Sequence, residues 1–195
     1  MKIGRWTAGI LVLVMVGMGA FTGCAKAPTA EVEGAKEAVA RADSAEAGTY
    51  APEDMQTAKN ALDDAMNKMN AKDYKGALAA ATTATTAAQT AMTNADAKKN
   101  EVRLAAESMK TEIPNVMAQA HQAVMDAKKS RAAKSMGPAI ASADSTLTAL
   151  DSLMNEATND FDAGHFMSAQ AKFTQIKSQA ESVVTNLTAG MPGQK

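Results

Sequence analysis

For about sixty residues after Tyr74 a single row of small or apolar side chains returns at every seventh position: Tyr74, Ala81, Ala88, Ala95, Val102, Met109, Val116 and Ala123. A companion row reads Leu78, Thr85, Met92, Lys99, Ala106, Ile113, Ala120 and Ala127. Only a helix brings positions i, i+4 and i+7 to one face, so the pattern predicts one long helix from about Tyr74 to about Lys134, on the order of 90 Å in length. Pro114 lies inside the run and would cost roughly 3 kcal/mol in a helix interior. The phase does not slip across it, which favours a continuous or kinked helix over two helices joined by a turn.

Shorter seams flank this spine. Met55, Ala58, Leu62, Ala65 and Met69 alternate steps of three and four, as do Ile140, Ala143, Leu147, Leu150, Met154, Ala157 and Phe161. A further seam runs Phe166, Ala169, Phe173, Ile176, Ala180, Val183 and Leu187. Val32, Ala35, Val39, Ala42 and Ala45 form a weaker first helix, which Gly48 is expected to close. Pro52 and Pro138 suit first-turn positions, while Gly137 and Gly190 suit helix ends. The fold class expected is all-α: elongated, alanine-rich helical hairpins built on one long, coiled-coil-like central helix.

Alanine makes up nearly a quarter of the chain, and beyond Trp6 and Phe21 the aromatic residues are only Tyr50, Tyr74, Phe161, Phe166 and Phe173. Each alanine buries little area, so a globular core is not expected and stability must accumulate along length. Without Lys2 and Arg5 the chain carries 18 basic and 21 acidic residues, a formal charge of −3. That balance gives no electrostatic footprint for nucleic acid or anionic lipid.

The N-terminus reads as a targeting segment. Lys2 and Arg5 precede the apolar run "AGILVLVMVGMGAF", which has the length of a signal-peptide core and is short for a bilayer span. Phe21, Thr22 and Gly23 then lead into Cys24, the only cysteine. This resembles the lipobox of bacterial lipoproteins, which implies cleavage before Cys24 and a covalent lipid on its sulfur. On that reading residues 1–23 are a signal peptide and 24–34 a lipidated linker. Ala25, which is not aspartate, implies the periplasmic face of the outer membrane by analogy with enterobacterial sorting. No thiol then remains for disulfide, metal or nucleophilic chemistry.

Two corners repeat a local pattern. "NAKDYKGALAAA" around Tyr74 and "DAGHFMSAQAKF" around Phe166 each place an alanine three residues after an aromatic, Ala77 and Ala169, with the copies 92 residues apart. A ring that plugs a helical corner and a small residue one turn on suit a tight hairpin. The string resembles the turn of tetratricopeptide repeats, although the spacing is not that of a repeat array. The stretch from Thr49 to Ala91 resembles a bacterial domain of unknown function, DUF4398, found in alanine-rich lipoproteins. The features carrying it are Tyr50, Ala51 and Pro52 opening a helix, Ala58 and Leu62 along it, Asp73 and Tyr74 at the corner, and Ala77 and Ala81 beyond. The resemblance implies an envelope lipoprotein and no known reaction.

Candidate chemistry is sparse. Met117, His121 and Met125, four apart, align on one helix face as a soft ligand set suited to Cu(I), and the heptad count turns them toward solvent. His165 reads as an exposed corner residue. Asp63 and Asp64 fall on the polar face of a helix with Lys59 and Lys68 at ion-pair spacing. No phosphate loop, Ser/His/Asp set or zinc spacing occurs. The terminal Lys195, behind a Pro-Gly segment, is similar to the attachment lysine of enteric murein lipoproteins, which implies a peptidoglycan tether.

The expectation is therefore a lipid-anchored envelope protein with a structural, scaffolding or protein-interaction role, no catalysis and no cofactor besides the lipid. Its partners are a membrane, envelope proteins or peptidoglycan, or a second copy of itself, and not nucleic acid. A copper or small-ligand carrier is the alternative. Residues 35–135 would form the first hairpin with the spine, 136–190 a second hairpin and 191–195 a flexible tail.

Overall fold

A computed structural model describes residues 26–191, and among these it contains helices and turns only. The helices are α1 (Thr29–Ser44), the short α2 (Ala47–Tyr50), α3 (Pro52–Asn70), α4 (Tyr74–Lys129), α5 (Gly137–Asp162) and α6 (Phe166–Gly190). The spine α4 holds 56 residues, about 84 Å at 1.5 Å each, and continues through Pro114. The proline ring is exposed, so the Lys110 carbonyl that loses its helical partner faces the solvent side.

The hairpins divide the rod in two. Helices α1, α2 and α3 pack on the N-terminal half of α4, whereas α5 and α6 pack on its C-terminal half and on each other. Each end of α4 thus serves as the third helix of its own bundle. The duplication seen at the corners extends through both cores. Met55, Ala58, Ala65, Ala77, Ala81, Ala84, Ala88, Ala91 and Ala95 are buried, and so are Leu147, Leu150, Ala157, Ala169, Phe173, Ile176, Ala180, Val183 and Leu187, each 92 positions further on.

Equivalent positions are filled differently. The first unit uses alanine where the second uses Leu150, Phe173, Ile176, Val183 and Leu187. Small seams let helices approach closely but bury less apolar surface per position, so the second unit holds the heavier core. Phe166 joins the two, because it packs against the cluster of the first unit while Ala169, one turn on, lies in that of the second.

Several sequence expectations are corrected. The companion row holds only from Ala106 onward: Leu78 is 43 % exposed, and the first half of α4 buries Ala77, Ala84 and Ala91 instead. A straight helix drifts about 20° per heptad against a strict seven-residue repeat, so a buried stripe on a helix of this length must step to the neighbouring row. The step falls at Lys99, whose ammonium bonds the Glu46 carboxylate and lies over the Tyr50 ring, 5.7 Å from its centre.

The expected linker 24–34 is helical from Thr29. The first helix stops at Ser44 and not at Gly48, because Glu46 takes a left-handed φ of 59°. The spine ends at Lys129, short of Lys134: Ser130 turns extended, with its hydroxyl donating to the Ala127 carbonyl at 2.8 Å. Gly137 opens α5 with Pro138 behind it and does not close a helix.

Candidate functional site

The corners are built alike. At the first, Lys72 N–H donates to the Met69 carbonyl at 3.1 Å and Asp73 N–H to that of Lys68 at 2.9 Å. At the second, Gly164 N–H donates to Phe161 at 3.0 Å and His165 N–H to Asp160 at 2.8 Å. Both are Schellman closures, in which the residue beyond the cap is left-handed. Gly164 fits that conformation at φ 84°, but Lys72 occupies it at φ 60° with a Cβ that clashes with the following carbonyl. Lys72→Gly is therefore expected to stabilise the chain by about 1 kcal/mol, read as a higher urea midpoint at unchanged slope.

Beyond the first corner, Asp73 caps α4 by accepting from Gly76 N–H at 3.0 Å. A Cβ on Gly76 would lie 2.1 Å from the Asp73 carboxylate, so a larger residue there would have to shift the capping side chain. The second corner caps differently. Ser168, in the place of Gly76, donates its hydroxyl to Asp160 at 2.6 Å, and Lys172 pairs with Asp160 at 3.0 Å and Glu156 at 3.1 Å. The Ser168 hydrogen bond and then the Lys172 ammonium hold the Asp160 carboxyl below the usual carboxylate range, while Asp160 and Glu156 raise Lys172. Phe161 and Phe166 meet edge to face at 5.4 Å, and the Lys110 ammonium sits 4.7 Å from the Phe161 ring centre while pairing with Asp162 at 2.7 Å. Tyr74 and Phe166 are half-buried, with Ala77 and Ala169 fully buried beneath them. These are structural corners, dense in contacts, and neither gathers a set of catalytic groups.

The other candidates are dispersed. Met117 lies in the core among α4, α5 and α6, not toward solvent, because the buried stripe has moved to its side of the helix. His121 faces Asp151 at 3.6 Å, and Met125 is exposed. His165 is exposed. Asp64 pairs with Lys68 at 2.7 Å, whereas Lys59 reaches across to Asp43 on α1 at 3.4 Å. Among the described residues no cluster of three or more His, Cys, Asp or Glu is placed to hold a metal, and no polar or charged side chain is buried. Nor is any described helix long and apolar enough to cross a membrane. Cys24 and Lys195 lie outside the described residues, as do residues 1–23 and most of the expected tail.

The sequence reading missed a concentration of charge at the far end of the rod. Between Asp126 and Asp144 the chain carries Lys128, Lys129, Arg131 and Lys134 with no acid, and after Glu181 the described part of α6 is uncharged. Gly190 meets Met136 there, so these segments share one tip. Lys128 pairs with Asp144 at 2.7 Å; the other three cations are exposed and form no ion pair among the described residues. The first two also sit favourably at a helix C-terminus. Net charge averaged the tip away, whereas reading the charges as a run beside a helix stop would have found it.

Residues 30–106 match the family model Domain of unknown function (DUF4398), a span that takes in α1, α2, α3 and the first part of α4. No curated protein matches the chain. No solved structure matches it either.

Proposed function

We propose that this chain, whose residues 30–106 match the DUF4398 family model, is a lipid-anchored spacer of the bacterial envelope: a rod fixed at one end through Cys24 that presents its other end to a partner. The observation that carries this reading is the order of parts along the spine. The lipobox-like sequence ends at Cys24, Pro28 is already packed at the start of α1, and the α1 start lies beside Tyr74 at the first residue of α4. An anchor at Cys24 would therefore hold the rod by that end. One uninterrupted helix then carries the second unit and its cationic tip away from it. The exterior suits a spacer, since its ion pairs mostly clamp helix to helix, as Lys59 does with Asp43, Lys110 with Asp162 and Lys177 with Glu112. The copper-carrier alternative draws no support from Met117, whose thioether is committed to the core.

Cys24→Ser tests the anchor. In a bacterial host the unaltered chain is expected in the membrane fraction, with fatty acid on its N-terminal peptide, and the variant in the soluble fraction or retained as uncleaved precursor. An unaltered chain that is soluble and carries no acyl group would end the proposal.

A further inference from the structure

The anchored end of the rod carries a surface of mixed chemistry that the spacer role does not require. The start of α1 and the start of α4 meet there around a groove of about 560 Å³, lined by Lys26, Pro28 and Glu31 on one side and by Tyr74, Lys75 and Leu78 on the other. Leu78 is the leucine that the heptad pattern assigns to the seam and that the fold leaves 43 % exposed. Tyr74 is half-buried, with part of its ring open to the groove. Lys26, Lys72 and Lys75 are exposed and form no ion pair among the described residues. The acids nearby are Glu31, on the groove wall, and Asp73, whose carboxylate is turned onto Gly76 N–H.

Tyrosine, leucine and lysine together favour the boundary between water and lipid: the ring and the aliphatic groups enter the acyl margin while the ammonium groups stay among headgroup phosphates. The cationic tip at the other end lacks this combination, since Met136 is buried and Ala132 half-buried between its charges. We infer that the groove end formed by Lys26, Lys72, Tyr74, Lys75 and Leu78 docks onto the surface of the lipid leaflet that holds the anchor, and so fixes the tilt of the rod.

The inference rests on the reading that Cys24 bears the lipid. Given that, chain length keeps the two surfaces close. Four peptide steps from Cys24 to Pro28 span at most about 14 Å, so this end stays within that distance of the lipidated residue. Anionic headgroups add electrostatic attraction for each lysine close to the surface.

The test uses the full lipidated chain, purified from membranes and reconstituted into vesicles of phosphatidylcholine containing phosphatidylglycerol. Because the lipid consumes Cys24, a fluorophore can be placed on a single new thiol, in Leu78→Cys near the anchor or in Ser135→Cys at the far tip; both sites are exposed. Spin-labelled lipid is expected to quench the label at position 78 several-fold more than that at 135. Adding Lys72→Glu and Lys75→Glu should remove most of the difference while the protein still floats with the vesicles. Equal, weak quenching at both positions in protein that floats overturns the docking surface and leaves the anchor reading intact. A chain that does not float and shows no acyl mass overturns the anchor reading and the docking with it.

Discussion

Replacing Phe173 by alanine lowers the stability of the C-terminal unit by about 3–5 kcal/mol, the range for deleting a ring from a packed core. Phe173 is completely buried, among Ile113, Leu147, Leu150 and Ile176 in the cluster shared by α4, α5 and α6. Its counterpart 92 positions earlier is Ala81, so the ring accounts for much of the difference between the two cores. The units contact one another through α4, with Phe166 as the main side chain reaching across, and this geometry confines the damage. Urea unfolding of the variant is expected to split into two transitions. Hydrogen exchange should show α5 and α6 losing protection before α1 and α3. A single transition shifted as a whole would mean that the spine couples the units rigidly, against the separation of their clusters.

The helical class and the spine were legible because burial on a helix leaves a periodic trace, and the row from Ala81 through Val102 to Ala123 is buried or half-buried throughout. The corners were legible for a local reason: an aromatic with an alanine three residues on needs no distant partner to be recognised. What was not legible depends on where the stripe turns. A strict heptad put Leu78 in the seam and turned Met117 to solvent, and the real helix does the opposite at both positions because its periodicity departs from seven residues per two turns. The early stop at Ser44 was hidden too. Glu46 in a left-handed conformation has no sequence signature, and the compensating bond to Lys99 lies 53 residues away. As for the candidate sites, Tyr74 and Phe166 do open α4 and α6 at their corners, while the cationic tip was masked by averaging and the groove beside the start of α1 required knowing that Leu78 is exposed.

Pro114 marks the point at which sequence and fold are in open conflict, and removing it should stabilise the protein. Proline in a helix interior costs roughly 3 kcal/mol relative to alanine, because it lacks the donor for the residue four back and its ring crowds that carbonyl. Here α4 pays that cost without a visible packing return: the ring is exposed, and the hydrophobic work of its turn is done by Ile113 and Met117 on the buried side. Pro114→Ala restores a donor for the Lys110 carbonyl, and Lys110 is already held at its far end by Asp162 and Phe161. The expected gain is about 1–3 kcal/mol, reduced from the full figure because alanine loosens the unfolded chain. The gain should be concentrated in the second unit, whose cluster contains both neighbours of the proline's turn. It would be measured as a higher midpoint of the C-terminal transition, with slower amide exchange from Lys110 to Met117. A neutral or destabilising result would mean that the proline sets a bend that α5 and α6 need in order to seat on the spine, which small-angle scattering of the two proteins would show as a change in maximum dimension.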